Sequence, residues 1–136
     1  MEIKYLFVYG TLRYAIASKM HDVLKKYYKY FSDGFLNGML FEIQGYPGFV
    51  ESDDASKKVY GELYEILSSD ELFALLDEYE ECSDRFPEPH DYIRKKLPIS
   101  LVNSDKVTAW VYVYTSGVTD LIQIESGDYV TYSKVT

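Results

Sequence analysis

Residues 106–114, Lys-Val-Thr-Ala-Trp-Val-Tyr-Val-Tyr, leave a strand almost no face to give to water. Side chains alternate across a strand. Val107, Ala109, Val111 and Val113 therefore line one face, and Thr108, Trp110, Tyr112 and Tyr114 line the other. A strand covered on both sides belongs to a barrel or to a sheet packed on both faces. Residues 3–8 make the same demand. The run is broken only by Lys4 and is rich in β-branched and aromatic residues, which reads as a first strand over 3–9 with both faces largely buried.

The remaining pattern fills in around these two strands. A helix is expected over 18–26, where Met20, Val23 and Leu24 share one face. The aromatic run 27–31 begins a second strand. Residues 35–43 form a third, entered through Asp33-Gly34, a turn signal. Residues 44–48, with Tyr46-Pro47-Gly48, read as a loop. A strand follows over 59–66, with Gly61 allowing another backbone to come close. Ser68 and Glu71 form a capping box for a helix running to about residue 80. Residues 83–91 are a loop fixed by Pro87 and Pro89, and strands over 92–102 and 106–114 are joined by Asn103-Ser104-Asp105. Mostly strand with two helices gives an α+β fold, expected as a single domain over residues 1–136.

Composition sets outer bounds. A chain of 136 residues, 47% of them hydrophobic, buries roughly 70% of its unfolded surface as one globular unit. Fifteen tyrosines suit strands and pocket walls, since each packs a ring and keeps a polar handle. A net charge of −8 disfavours nucleic acid and anionic membrane as partners. Cys82 is the lone cysteine, so no internal disulfide can form. With no basic start leading into an apolar stretch and no run of membrane-spanning length, a soluble cytoplasmic protein is expected.

Two places carry chemistry. The first is Tyr9-Gly10-Thr11-Leu12-Arg13, directly after the first strand. A glycine there lets the backbone turn sharply and uncovers main-chain N–H groups, which suit an acidic ligand. The second is the helix after Ser68. With Leu76 at the centre of its apolar stripe and about 100° per residue, Leu72 and Tyr79 lie to one side and Phe73 to the other. Glu80 falls between Leu76 and Phe73, while Asp70, Glu71, Glu78 and Glu81 point away. An inward carboxylate at a helix C-terminus meets desolvation and an unfavourable dipole; both raise its pKa, as a proton shuttle near neutral pH requires. The alternative is a helix that ends before Glu80 and leaves it in solvent.

These residues resemble the γ-glutamylcyclotransferase-like (AIG2-like) family. That family carries Tyr-Gly-Thr-Leu or Tyr-Gly-Ser-Leu at the end of its first strand, matched here by Tyr9 to Leu12. It carries Leu-Asp-x-x-Glu at the end of the helix and Tyr-x-Arg on the next strand, matched by Leu76-Asp77-Glu78-Tyr79-Glu80 and Tyr92-Ile93-Arg94. Gly127-Asp128-Tyr129 resembles its usual ending, so the likeness spans roughly residues 3 to 129. The resemblance implies a small mixed β-barrel with flanking helices and a pocket at one mouth. It also implies the reaction. The α-amine of a γ-glutamyl group attacks its own γ-carbonyl, giving 5-oxoproline and a free amine or amino acid, with no metal and no cofactor. Glu80 would be the general acid/base, and Tyr9, Gly10, Thr11 and Leu12 would hold the glutamyl moiety.

The chain departs from the family in three places. Glu81 stands where a glycine often follows the catalytic glutamate, Tyr14-Ala15-Ile16-Ala17 replaces a Gly- and Asn-containing loop, and the loop 83–91 is long. These bear on which amine leaves. Two rivals stand beside the enzyme: a binding module that kept the pocket and lost turnover, and a protein-interaction domain using a Tyr-rich surface, which predicts an exposed aromatic patch. Residues 27–31 have the composition of a base-stacking platform, but the acidic net charge favours a strand with buried aromatics. His21 and His90 lack the spacing for a metal site or a triad. Cys82 has no adjacent basic partner to activate it. Asp77 and Arg94 are candidates for orienting the pocket or for a plain ion pair.

Overall fold

The computed structural model describes residues 4–10, 22, 24–43, 46–54, 56–79 and 92–135, without the side chains of residues 79 and 133–135. In chain order the elements are β1 (Tyr5–Val8), β2 (Tyr28–Ile43), β3 (Tyr46–Glu51), β4 (Lys58–Ile66), α1 (Ser69–Tyr79), β5 (Tyr92–Leu101), β6 (Lys106–Tyr114), β7 (Ile122–Gln123) and α2 (Tyr129–Val135).

Five of the strands close into a ring. β1 lies antiparallel to β4, with Phe7 opposite Leu63, and parallel to β6, with Leu6 opposite Trp110. β6 pairs antiparallel with β5, and β4 antiparallel with β2. The ring shuts where β2 meets β5, Gly34 opposite Leu101 and Phe35 opposite Ser100. Closure leaves a mixed barrel with no free edge in the ring. β3 and β7 each add to β2 outside it.

The alternation seen in 106–114 fills both sides of this wall. Phe7, Leu40, Phe49, Val59, Leu63, Ile99, Ala109 and Val111 pack the barrel interior. Leu6, Val8, Leu24, Tyr28, Tyr64 and Tyr112 lie on the outer side against Leu72 and Leu76 of α1. Leu72 and Leu76 are completely buried, as the helical stripe requires.

The expected capping box does not form in its reciprocal pattern: the Ser68 N–H donates to the Tyr27 carbonyl at 3.3 Å and not to Glu71. Ser68 bonds the Glu71 carboxylate, and the Leu72 N–H donates to the Ser68 carbonyl at 3.1 Å. The Ser68 hydroxyl, followed by Glu71's own backbone N–H, holds the Glu71 carboxyl below its usual range. Ser68→Ala removes that bond and should lower stability slightly. A depressed carboxylate contributes stability that is present above its unfolded pKa and lost as pH falls through its folded one. The gap in urea midpoint between wild type and variant should thus be full near neutrality and narrow in acid.

Two expectations about strands need correction. Asp33-Gly34 is not a turn; both residues lie inside one long β2, opposite Glu62 and Gly61. Gly34 serves the seam of the barrel: a Cβ there would sit 2.9 Å from the Ser100 carbonyl oxygen. The expected break is instead a bulge between Tyr30 and Ser32, and the Phe31 ring there meets Tyr5 at a tilt, centroids 4.7 Å apart. Tyr46-Pro47-Gly48 likewise belongs to a strand, β3, and Pro47 is tolerated because β3 is the outermost strand of its pairing. The C-terminal helix α2 was not expected. Of the helix expected over 18–26, Asp22 and Leu24 are helical and residues 25–27 turn; Met20 and Val23 lie outside the described residues. The loop 83–91 lies outside them too.

The aromatic run 27–31 divides between core and surface. Tyr28 is buried and stacks on Tyr64 at 4.3 Å, whereas Tyr30 and Phe31 are exposed. Burial, and then the nearby Glu62 charge, pushes the Tyr28 and Tyr64 phenols upward, so both stay protonated and Tyr64 donates to Glu62 at 2.9 Å. Among the described residues, no helix is long and apolar enough to cross a membrane.

Candidate active site

Because β1 and β6 run parallel, their C-terminal ends emerge at the same mouth of the barrel. β5 begins there, Tyr92 opposite Tyr114. β3 covers one side of it. Gly10 lies so close to Pro47 that a Cβ would stand 2.3 Å from the proline Cγ. The Tyr92 hydroxyl donates to the Pro47 carbonyl at 3.0 Å, and the Tyr92 and Tyr114 rings meet edge-on at 5.4 Å. The glycine of the signature thus has a steric reason beyond its turn: the mouth has no room for a side chain there.

Tyr9 faces inward. Its hydroxyl donates to the Tyr112 carbonyl at 2.7 Å and accepts from the Phe49 N–H at 3.3 Å. The signature tyrosine therefore holds β1, β6 and β3 together just below the mouth. A buried hydroxyl bonded in this way to two backbone groups is worth more than a surface one.

The last turns of α1 come to the same end of the barrel. Asp77 accepts from the Tyr112 hydroxyl at 2.6 Å and lies 3.6 Å from an Arg94 guanidinium nitrogen. Arg94 is held over the rings of Phe73, 3.9 Å away, and Trp110, 4.9 Å away. Planar guanidinium stacking of this kind fixes the cation without consuming its donors. Asp77 and Arg94 are thus brought together, and the tyrosine between them and the signature was singled out in the sequence only as a strand residue. On the far side of the mouth, the Tyr132 hydroxyl donates to Glu42 at 2.5 Å, a bond that raises its pKa and ties α2 to the end of β2.

The Gly127-Asp128-Tyr129 ending has a structural meaning. Asp128 caps α2, accepting from the N–H groups of Val130 and Thr131 at 3.1 and 3.4 Å. Tyr129 packs against the interior core.

Of the five residues expected to form the site, Tyr9 and Gly10 stand at the mouth as described. Thr11, Leu12 and Glu80 lie outside the described residues, as do His21, Cys82 and His90. Glu80 follows Tyr79, the last residue of α1. Among the described residues, no group of three or more His, Cys, Asp or Glu could hold a metal ion. A separate groove of about 520 Å³ lies where β2 meets the β5–β6 hairpin, lined by residues such as Asp33, Tyr60, Ser100 and Val102. It touches none of the residues at the mouth, so its size carries no weight here.

Residues 6–131 match the model of the gamma-glutamyl cyclotransferase, AIG2-like family. A Methanocaldococcus jannaschii protein named as a candidate gamma-glutamylcyclotransferase is 28% identical over 130 residues, 96% of this chain and 98% of that one. The fold resembles an uncharacterised Pyrococcus horikoshii protein with a TM-score of 0.67 at 22% identity, over 98% of this chain and 95% of that one. It also resembles a mouse AIG2-like protein with a TM-score of 0.67 at 22% identity, over 92% of this chain and 88% of that one.

Proposed function

The chain belongs to the gamma-glutamyl cyclotransferase, AIG2-like family, and from that premise we propose that it converts a γ-glutamyl amine or γ-glutamyl peptide to 5-oxoproline and the free amine. The observation that carries this reading is a meeting of elements. The end of β1, which bears the signature, and the end of α1, which leads to Glu80, are tied to the same residue of β6.

The chemistry asks three things of the protein. The flexible glutamyl chain must be folded so that its α-amine meets its γ-carbonyl, and such orientation is worth several kcal/mol. The backbone N–H groups of the turn through Gly10, Thr11 and Leu12 would hold the α-carboxylate. A base must then take a proton from the α-ammonium, so that nitrogen can form its bond to the γ-carbon. The same group delivers that proton to the departing nitrogen as the old C–N bond breaks, and the ring nitrogen then gives up its second proton, which leaves on the released amine as its ammonium. Glu80 would do both, a contribution of roughly 10²–10⁴-fold. Negative charge on the γ-oxygen in between would be met by N–H donors at the mouth.

Incubation of the purified protein with a panel of γ-glutamyl dipeptides and γ-glutamyl amines tests this. 5-Oxoproline should appear from at least one, and the productive substrate names the leaving amine. Binding without product from any of them would favour a binding module built on the same fold.

A further inference from the structure

We propose that Tyr112 is a positioning residue of this site: it sets the end of α1, and with it Glu80, against the turn after β1. The inference rests on the cyclotransferase reading above. It starts from one residue with two bonds in two directions. The backbone carbonyl of Tyr112 receives the Tyr9 hydroxyl at 2.7 Å, and its own hydroxyl reaches Asp77 at 2.6 Å. Chain connectivity makes those two anchors matter. Thr11 is two residues from Tyr9, and Glu80 is three from Asp77, a span of at most about 11 Å even when fully extended. Whatever fixes Tyr9 and Asp77 relative to each other limits where the turn and Glu80 can be.

Packing alone would not do this. The completely buried anchors of α1 are Leu72 and Leu76. They hold the helix on the barrel, but greasy contacts tolerate small rotations and slides, and a last helical turn frays at little cost. A hydrogen bond to a carboxylate is directional and about twice as strong as a neutral one. Asp77, in the last turn of α1, accepts such a bond, and Arg94, clamped over Phe73 and Trp110, pairs with it from β5. Tyr112 and Arg94 stand opposite each other on adjacent strands, so the carboxylate is gripped by a pair whose spacing the sheet register sets. Proton transfer is sensitive to such spacing, and a displacement of about 1 Å costs on the order of 10²-fold.

The test is a cycle of Tyr112→Phe, Asp77→Asn and the double variant, assayed for 5-oxoproline with the substrate found for the wild type. Tyr112→Phe keeps the ring that packs against α1 and removes only the donor. kcat should fall by roughly 10- to 100-fold in each single variant, with KM within about threefold, because the bound ground state is held by the turn and not by the helix. The double variant should be no slower than the slower single one, as expected of two groups acting as a unit. A purely structural bond would instead lower the thermal midpoint and leave kcat alone. Wild-type kcat in folded Tyr112→Phe or Asp77→Asn overturns the positioning role while leaving the cyclotransferase reading intact. A wild type that forms no 5-oxoproline from any γ-glutamyl substrate overturns that reading, and this inference with it. Should Tyr112→Phe not fold, the Asp77→Asn arm decides by the same kcat and KM readout.

Discussion

Glu80→Gln is expected to remove 5-oxoproline production, by at least the roughly 10²–10⁴-fold that a positioned acid/base supplies. The substitution keeps size and shape and deletes the ability to take a proton and return it. Every other requirement of the cyclisation is left in place, so substrate should still bind. Initial rates and binding of the same substrate, measured for both proteins, separate the two effects. A variant that turns over within tenfold of wild type would mean that the proton moves by another route and that Glu80 is not the acid/base. Because the α-ammonium of the substrate must also lose its proton, the loss should hold across the pH range, not only at its acidic end.

The largest effect on stability is expected at Gly127. Its φ is +68°, a conformation that disfavours side chains by about 1–2 kcal/mol. A Cβ there would also lie 1.8 Å from the Lys58 carbonyl oxygen, which is backbone and cannot swing away. Gly127 is bonded on both sides, its carbonyl to the Tyr60 N–H at 2.8 Å and its N–H to the Ile124 carbonyl at 3.0 Å. Relief therefore requires β4 or the start of α2 to move, and overpacking of this kind adds about 1–3 kcal/mol. Gly127→Ala should lose roughly 2–5 kcal/mol in urea unfolding, a large part of the stability of an ordinary domain. Gly117 supplies the control. Its φ is +88°, but nothing lies within 4 Å of the space a Cβ would take. Gly117→Ala should show the conformational part alone, about 1–2 kcal/mol. Equal losses at the two glycines would mean that the contact with Lys58 is not the cause.

These glycines also show how far the sequence could be read. A glycine signals either a bend or a close approach, and the local sequence does not separate them. At Gly61 the close approach was legible, and a Cβ there would sit 2.2 Å from the Val8 carbonyl oxygen. At Gly34 the neighbouring Asp33 made the pair look like a turn, whereas the residue serves the β2–β5 seam, a contact between strands some 65 positions apart. Pro47 misled for a similar reason: proline is excluded from central strands but not from an outer one. The helix α2 was hidden because Tyr-Val-Thr-Tyr-Ser-Lys-Val is rich in residues that favour strands, and its helicity depends on Asp128 and on packing against the barrel.

The barrel itself was more accessible, because it is written in alternation. Val107, Ala109, Val111 and Val113 face the interior core, while Trp110 and Tyr112 face α1, as their positions require. The candidate site was legible where a motif carried it, at Tyr9-Gly10 and in the helix leading to Glu80. The Asp77–Arg94 pair was open to either reading from sequence. Tyr112 left no local mark, since a tyrosine in an apolar strand looks the same whether its hydroxyl meets water or a carboxylate.

The central claim is that the nucleophile belongs to the substrate. It is tested most directly by running the reaction in H₂¹⁸O on a γ-glutamyl substrate carrying ¹⁵N in its α-amine. Cyclisation predicts 5-oxoproline that retains the ¹⁵N, contains no ¹⁸O, and equals the released amine mole for mole. Glutamate carrying ¹⁸O in its γ-carboxyl would show that water attacks instead, and would contradict the account.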